Sequence, residues 1–182
     1  MSGTASLDAL NRADAAGFAA ALDGVFEHAP WVVDAVAGRR PFGSVGQLHE
    51  ALLGVLRALP EPALVAFLCL HPELAGSAAR AGTMTADSAD EQAGLALGSL
   101  PADQAGRWDT LNARYRERFG FPFILCIRRH DLASALAAFE QRIERSRAEE
   151  LQASLDEIAV ISGMRLAQRL GQPATVSAGQ GR

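Results

Sequence analysis

The stretch that decides the fold reads Ala66-Phe67-Leu68-Cys69-Leu70-His71-Pro72-Glu73-Leu74-Ala75-Gly76. Its first five residues are apolar, and a helix that is apolar on every side is a buried helix. Pro72 forces a break, because it lacks an N–H group and pushes the residue before it out of the α region. The pattern therefore predicts a buried helix that runs directly into His71. We expect this histidine to be half-buried, either as a core residue bound to a backbone carbonyl or as a functional group.

The composition of the 182 residues favours helices packed on helices. Ala and Leu are prominent, aromatic residues make up only 6% of the chain, and β-branched runs are almost absent. A chain of this length forms about one domain with one core. We expect an all-α fold, namely a single-domain helical bundle over residues 1–170. Residues 171–182 are rich in Gly, Gln, Ala and Ser, which predicts a disordered tail.

Charge and cysteine content argue against several classes of protein. The formal net charge of −4 offers no basic field for nucleic acid or for an anionic membrane. Cys69 and Cys126 both lie in apolar runs, so we expect two small buried side chains and neither a disulfide nor a metal site. No apolar run approaches the length that spans a bilayer, and the first residues lack the pattern of a signal peptide. The default expectation is a cytoplasmic protein.

Helix-starting residues divide the chain into segments. They occur at Asp14, Pro30, Ser44, Glu61, Ser88 and Asp131. Residues 77–85 are polar and contain glycine, so we expect them to form a surface loop. In the helix after Asp131 we expect Leu132, Leu136 and Phe139 inside, and Glu140, Arg142, Glu144 and Arg145 outside. A charged turn at residues 147–150 then leads to a final helix over about residues 151–170.

A second apolar stretch, Phe121-Pro122-Phe123-Ile124-Leu125-Cys126-Ile127, contains a proline and has no helix cap. This pattern predicts an extended buried segment. An isolated extended segment in a helical protein has no neighbouring strand, so its N–H and C=O groups must bind another partner. A ligand is one candidate.

Two charged residues have both a structural and a functional interpretation. Arg165 projects about 20° from Ile158 around the final helix, on its apolar side. In the structural interpretation, its methylene groups pack on the core and its guanidinium reaches the solvent-exposed edge. In the functional interpretation, its planar guanidinium binds a carboxylate. Glu91 follows Ser88 at the spacing of a capping box, so it either closes a helix start or serves in catalysis.

Four blocks of the sequence follow one another in a characteristic order: His71-Pro72-Glu73-Leu74-Ala75-Gly76, Ser88 with Glu91-Gln92-Ala93-Gly94-Leu95, Leu111-Asn112 with Tyr115, and Phe119-Gly120-Phe121-Pro122-Phe123-Ile124. These blocks resemble the family of 2-oxo-4-hydroxy-4-carboxy-5-ureidoimidazoline (OHCU) decarboxylases of purine breakdown. Phe26-Glu27-His28-Ala29-Pro30-Trp31 and Arg39-Arg40-Pro41-Phe42 also agree. The resemblance covers about residues 7–170, and the four blocks together, in this order, are specific.

The resemblance implies an all-helical, usually homodimeric enzyme that converts OHCU stereospecifically into (S)-allantoin without a cofactor. The family's catalytic histidine, catalytic glutamate and substrate-binding arginine map onto His71, Glu91 and Arg165. The family's other substrate-binding positions map onto Pro72, Ser88 and Gln92, and onto the backbone of Phe123, Ile124 and Leu125.

The chemistry of this substrate is consistent with those residues. Its C=N bond can accept the electrons that decarboxylation releases, so neither a metal nor pyridoxal is required. The sequence contains no lysine, which excludes a lysine Schiff base. We expect His71 to act as general acid/base, Glu91 to orient and charge it or to handle a second proton, and Arg165 to anchor the substrate. A helical ligand-binding module without chemistry, and a different lyase or hydrolase on the same scaffold, remain as alternatives.

Overall fold

A computed structural model of the chain describes residues 6–171. The regular structure in this range consists of ten α-helices and three short 3-10 helices, and none of these residues forms a strand. The prediction of an all-α fold is confirmed. Apart from Gly171, the predicted disordered tail lies outside the described residues.

The chain divides into two compact units, and one long helix belongs to both. Unit 1 contains the residues up to Leu59 and those from Ala159 onward, whereas unit 2 is Pro60–Ile158. Three groups of predicted site residues therefore belong to unit 2: His71 with Pro72, the helix that carries Ser88, Glu91 and Gln92, and the apolar stretch with Phe123, Ile124 and Leu125. Arg165 belongs to unit 1.

Unit 1 begins with four helices: α1 (Leu7–Arg12), α2 (Ala15–Ala21), α3 (Pro30–Asp34) and α4 (Val45–Arg57). The helix starts predicted in this unit are confirmed. The side chains of Asp14 and Ser44 accept hydrogen bonds from the N–H groups at the third positions of α2 and α4, and Pro30 occupies the first position of α3. The core of this unit consists of apolar residues at helical spacing, including Phe18, Leu22, Val32, Leu48, Leu52 and Leu56.

Unit 2 contains α5 (Glu61–Leu68), α6 (Ser77–Ala81), α7 (Ala86–Ala93), α8 (Ala102–Phe119), α9 (Leu132–Arg142) and the first half of α10 (Arg147–Arg169). The predicted surface loop at residues 77–85 is wrong in part, because α6 occupies its first five residues. Gly82 ends α6 in the left-handed conformation, with φ of 66°. Asp131 caps α9 as predicted and forms a capping box with Ser134.

Helix α5 is shorter and more exposed than its composition indicates. It ends at Leu68, before the histidine, and only Leu64, Phe67 and Leu68 are buried. Cys69 is exposed, contrary to the prediction, whereas Cys126 is buried as predicted. Apolar composition alone overestimates burial here, because a helix of two turns buries only the face that contacts other elements.

The prediction for α9 and the turn after it is also wrong in part. Arg142, expected outside, is buried, and residues 147–150 form the first turn of α10 with Glu150 fully buried. Arg142 lies on the same face as Ala135 and Phe139, seven and three residues earlier, which are also buried. The two charges are tolerated inside because they neutralise each other.

No single helix among the described residues is long and apolar enough to cross a membrane. Only α4 and α5, taken together across the break between them, reach that length and composition.

Candidate active site

The apolar segment at residues 121–126 is held in unit 2 by aromatic packing. These six residues form neither helix nor strand, and their side chains are buried, as predicted. The prediction extended to Ile127, which is also buried but begins the 3-10 helix Ile127–Arg129. The ring of Phe123 stacks on Phe139 of α9, with ring centres 4.0 Å apart and planes at 7°. The ring of Tyr115 in α8 meets both Phe121 and Phe123 edge to face. This packing fixes the path of the backbone.

Two side chains bind the backbone of this segment. Arg142 donates from Nη1 to the carbonyl oxygen of Ile124 at 2.8 Å. The N–H group of Cys126 donates to Glu157 Oε2 at 2.7 Å. Within residues 6–171, no hydrogen bond uses the N–H groups of Phe123, Ile124 or Leu125. Buried N–H groups need an acceptor, so these three suit a ligand rich in carbonyl oxygens.

His71 begins a tight turn, here called the His71 turn (residues 71–76). Its N–H group donates to the carbonyl of Leu68 at 3.1 Å, which tightens the end of α5. The imidazole meets the ring of Phe67 edge to face, with centres 5.3 Å apart, and its Nδ1 atom is buried. The residue as a whole is half-buried, as predicted. The Nδ1 side of the imidazole thus lies against the core.

Two buried amide side chains from neighbouring helices bind the His71 turn. Gln92 of α7 accepts from the N–H of Ala75 at 3.1 Å and donates to the carbonyl of Glu73 at 3.4 Å. Asn112 of α8 donates to the carbonyl of Leu74 at 2.9 Å. Gln92 was predicted to line a substrate site, and here its amide group positions the backbone after His71.

The His71 turn is also constrained by its own backbone. Ala75 lies in the left-handed region with φ of 52°, which is costly for a residue with a Cβ atom. At Gly76, a Cβ atom would lie only 2.8 Å from Cβ of Glu73, so the turn has room for glycine alone. Arg116 further secures it by donating from Nε to Glu73 Oε1 at 2.9 Å. Strain of this kind persists where the surrounding structure enforces one conformation.

Glu91 does not close the start of a helix. Helix α7 begins at Ala86, and the Thr85 side chain accepts from the N–H of Ser88 at 3.4 Å. Ser88 is therefore the third residue of the helix and Glu91 the sixth, so the predicted capping box is wrong. The sequence offers two N-cap side chains, Thr85 and Ser88, and the structure uses the earlier one. Ser88 and Gln92 are buried and Glu91 is half-buried.

The electrostatics at Cys126 place Glu91 near the end of the apolar segment. Burial raises the pKa of the Cys126 thiol to about 11, and the carboxylates of Glu157 and Glu91 act in the same direction. A thiol with this pKa is protonated at neutral pH and is not a nucleophile. Unit 2 thus brings α7, the His71 turn and the apolar segment together, with Glu91 on the helix that holds the turn.

Arg165 lies in unit 1, on the second half of α10, and forms a buried ion pair. Its Nη1 atom donates to Glu27 Oε2 at 3.1 Å and to the carbonyl of Gly24 at 3.2 Å. Both side chains are buried, at 5% and 2% exposure, so the alternative of an arginine head at the rim is wrong. His28 Nε2 lies 3.9 Å from Glu27 Oε1. Glu27 therefore orients the guanidinium that was predicted to anchor substrate.

Sequence reasoning missed the residues that support the site: Glu27, Asn112, Arg142, Glu150 and Glu157. For Arg142 the signal was present, since it continues the buried face of Ala135 and Phe139. Glu27 follows the apolar pair Val25-Phe26, which is a weaker indication. Within the described part of the chain, no group of three or more His, Cys, Asp or Glu side chains is arranged to hold a metal ion.

The described residues form an all-helical protein in which unit 2 contains a half-buried histidine, a helix carboxylate and an apolar segment with backbone N–H groups that bind no acceptor within residues 6–171. The family model of OHCU decarboxylase matches residues 11–167. The chain belongs to the OHCU decarboxylase family, and the resemblance identified from the sequence is confirmed.

Individual relatives agree over most of the chain. It is 35% identical over 164 residues to the 2-oxo-4-hydroxy-4-carboxy-5-ureidoimidazoline decarboxylase of Haloferax volcanii, covering 90% of this chain and 95% of the relative. It is 36% identical over 162 residues to the mouse (Mus musculus) protein of the same name, covering 89% and 91%. A crystal structure of (S)-allantoin synthase superposes with a TM-score of 0.72 at 25% identity. That match covers 91% of this chain and 54% of the solved chain.

Proposed function

We propose that this protein is a carboxy-lyase that decarboxylates OHCU to (S)-allantoin in urate catabolism without a cofactor. The observation that carries the proposal is the family match over residues 11–167, together with relatives named for this reaction that align over about nine-tenths of the chain. The arrangement of His71, α7 and the apolar segment in unit 2 supports it independently.

The substrate is its own electron sink. It carries a carboxylate and a hydroxyl group on one ring carbon, beside a carbon–nitrogen double bond. When carbon dioxide leaves, the electron pair of the broken bond forms a double bond to the neighbouring carbon, and the C=N electrons move onto nitrogen, which takes up a proton. The resulting enol becomes a carbonyl when its hydroxyl loses a proton and the neighbouring carbon gains one. Delivery of that proton to a single face produces one enantiomer.

The protein then has to orient the substrate and move protons. In this proposal His71 is the general acid/base, because imidazole exchanges protons near neutral pH. Glu91 orients and charges His71 or handles the second proton, and its carboxylate is not used to cap the start of α7, where Thr85 has that role. Arg165, oriented by Glu27, anchors an anionic or carbonyl part of the substrate.

The remaining positions bind the substrate ring. Pro72 and Ser88 line the site in this proposal, and Gln92 contributes by holding the His71 turn. The buried N–H groups of Phe123, Ile124 and Leu125 are donors that suit the ring carbonyl groups of OHCU and of allantoin.

The oligomeric state, cellular location and domain organisation also belong to this proposal. We expect a homodimer, because the family resemblance implies one. The cytoplasmic location and the single catalytic domain over residues 1–170 are the expectations from the sequence pattern and the chain length. Sedimentation velocity of the purified full chain tests the dimer directly. A monomer at the concentrations that support turnover would contradict it.

The decisive experiment follows allantoin formation from freshly generated OHCU by optical activity. We expect the protein to accelerate decay beyond the spontaneous rate and to yield the (S) enantiomer in excess. Spontaneous decay without the protein is the control for background racemic product. An unchanged rate with racemic product would refute the proposal, and allantoin binding under those conditions would instead identify a ligand-binding module.

A further inference from the structure

Arg142 lies at the centre of a buried polar cluster in unit 2. Its Nε atom donates to Glu150 Oε1 at 2.8 Å, and Nη2 donates to the same oxygen. The hydroxyl of Tyr115 donates to that oxygen as well. Arg142 is 5% exposed, and Glu150 and Tyr115 are fully buried. Three donors thus converge on Oε1 of one buried carboxylate, whereas Oε2 of Glu150 is buried without a hydrogen bond to the described residues.

The charges of the cluster are balanced by its own members and by Arg145, so the apolar segment is not needed to balance them. Glu150 neutralises Arg142, and Glu150 Oε2 lies 3.9 Å from Nη1 of the half-exposed Arg145. Burial, followed by the hydrogen bond to Glu150, raises the pKa of Tyr115 well above its ordinary value, so the phenol remains a donor. A buried ion pair usually adds no stability over apolar residues of similar volume. Stability alone therefore does not account for an arginine at this place.

Arg142 also contacts the apolar segment at two consecutive residues, Phe123 and Ile124. Besides the hydrogen bond from Nη1 to the carbonyl of Ile124, its guanidinium carbon lies 4.6 Å from the centre of the Phe123 ring. A guanidinium has a rigid fork of donors and a flat face, so one group satisfies Glu150, the Ile124 carbonyl and the Phe123 ring together. A lysine ammonium lacks both the fork and the flat face.

These contacts fix the direction of the next N–H group. The carbonyl of Ile124 and the N–H of Leu125 belong to one planar trans peptide unit, in which they point in opposite directions. Because Arg142 holds the carbonyl, the N–H of Leu125 points away from the Arg142 cluster. Glu157 holds the N–H of Cys126 in the following peptide unit, so the carbonyl of Leu125 points away from Glu157.

Leu125 consequently presents a donor and an acceptor whose directions are set from outside the segment. Neither its N–H nor its carbonyl takes part in a hydrogen bond within residues 6–171. Ureido and imide groups present an N–H next to a C=O, which is the complement of such a pair. We propose that Arg142 and Glu157 are positioning residues of the active site, which orient the N–H and C=O groups of Leu125 toward an amide edge of the substrate ring.

The inference rests on the proposed function for the identity of the ring, so its test needs a readout that does not depend on turnover. Amide hydrogen exchange at residues 121–127 reports the order of the segment in the folded protein. Calorimetric titration with allantoin reports binding of a cyclic ureide. Turnover of OHCU, separated into kcat and KM, reports the effect on the reaction.

The principal variant is the double substitution Arg142→Met with Glu150→Gln. It removes both buried charges together, and the amide oxygen introduced at position 150 still accepts from the Tyr115 hydroxyl, so the melting temperature should stay close to that of the wild type. We expect faster exchange at Leu125, weaker allantoin binding and a fall in kcat/KM of about 10- to 100-fold, the scale of a small misplacement in an active site. The pH profile should not change, because proton transfer is left to His71.

Arg142→Lys is the second variant and covers failure of the double variant to fold. The lysine retains the charge next to Glu150 but cannot also hold the Ile124 carbonyl, so it should give the same pattern of losses. Arg145→Met is the matched control, because it removes the other cation near Glu150 without contacting the segment. It should leave exchange, allantoin binding and kcat/KM as in the wild type.

Glu157 provides an independent arm of the test. Glu157→Gln keeps an oxygen that accepts from the N–H of Cys126, whereas Glu157→Ala removes it. We expect the Gln variant to retain wild-type exchange and allantoin binding and the Ala variant to lose both. Equal losses in the two variants would show that the charge acts by itself and would overturn the positioning role of Glu157.

The outcomes separate this inference from the proposed function. Two results in the folded Arg142 variants would overturn the role of Arg142. One is wild-type amide exchange at Leu125 together with wild-type allantoin binding, and the other is faster exchange with unchanged allantoin binding. If the wild type fails to turn over OHCU, the proposed function fails. The two measurements that do not depend on turnover, amide exchange and allantoin binding, still decide the role of Arg142. Faster amide exchange at Leu125 and weaker allantoin binding in the Arg142 variants, with wild-type values in Arg145→Met, would support the positioning role of Arg142.

Discussion

Glu91 is the sixth of the eight residues of α7, beyond the N–H groups that Thr85 caps, so its replacement separates proton chemistry from capping of the helix start. Glu91→Gln keeps the length of the side chain and one oxygen but removes the charge and the acid proton. Because Thr85 caps this helix, we expect the free energy of unfolding to change by no more than about 0.5 kcal/mol, as for an ordinary substitution away from caps and core. The melting temperature should then shift by about 2 °C at most. Turnover should fall on the order of 10²-fold or more.

Thr85→Ala is the matched control for the Glu91 variant. It removes the side chain that accepts from the N–H of Ser88, and because this hydrogen bond is long at 3.4 Å the cost should lie near the lower end of about 0.5 to 2 kcal/mol for such caps. We expect a lower melting temperature with normal turnover of the folded protein.

The assay for both variants is the optical activity of allantoin formed from fresh OHCU, with circular dichroism melts of the same samples. Wild-type turnover in Glu91→Gln would refute the catalytic role. A melting temperature for Glu91→Gln as low as that of Thr85→Ala would refute the structural reasoning about the cap.

The remaining predictions concern four side chains. His71→Asn should melt like the wild type and lose on the order of 10²-fold in turnover; full activity in the optical assay would make His71 a core residue. Arg165→Lys should weaken allantoin binding by about 1 to 3 kcal/mol in a calorimetric titration, because the ammonium lacks the guanidinium fork, and unchanged affinity would argue against an anchoring role. Glu27→Gln removes the carboxylate that pairs with the buried Arg165, so thermal melts should show a loss of roughly 3 to 5 kcal/mol, and a loss below about 1 kcal/mol would contradict the buried pair. Burial lowers the pKa of His49, whose Nε2 lies 2.9 Å from Ser162 Oγ, although Glu50 acts the other way. The unfolded chain therefore binds more protons than the folded one as pH falls from about 7 toward the lowered pKa, so stability is lost in that window. His49→Gln should flatten the dependence of melting temperature on pH there, and an identical slope would contradict this origin.

Local features of the fold could be predicted because their causes lie within a few residues. Asp14, Ser44 and Asp131 cap helices through bonds to N–H groups three residues away. Gly120 ends α8 in the left-handed conformation that glycine adopts without strain. The buried, non-helical segment at residues 121–126 follows from an apolar run that contains proline and lacks a cap. The order of helices and the position of His71 next to the core were therefore readable from the chain.

The supporting residues of the site could not be predicted, because their roles depend on partners far away in the chain. Asn112 binds a carbonyl 38 residues earlier, and Glu157 binds an N–H group 31 residues earlier. The choice between Thr85 and Ser88 as the cap of α7 was also ambiguous, since each has the required side chain. In such a case packing decides which turn becomes the first of the helix.

The sequence by itself determined the all-helical class, the family and the residue types available for chemistry, because periodicity, caps and motif order are local properties of the chain. Only the tertiary structure decided that Arg142 and Glu150 face each other in the core, that Glu27 pairs with Arg165, and that Gln92 holds the His71 turn. The physical reason is that a charged or amide side chain is buried only when a partner compensates its lost hydration. Packing brings that partner into place.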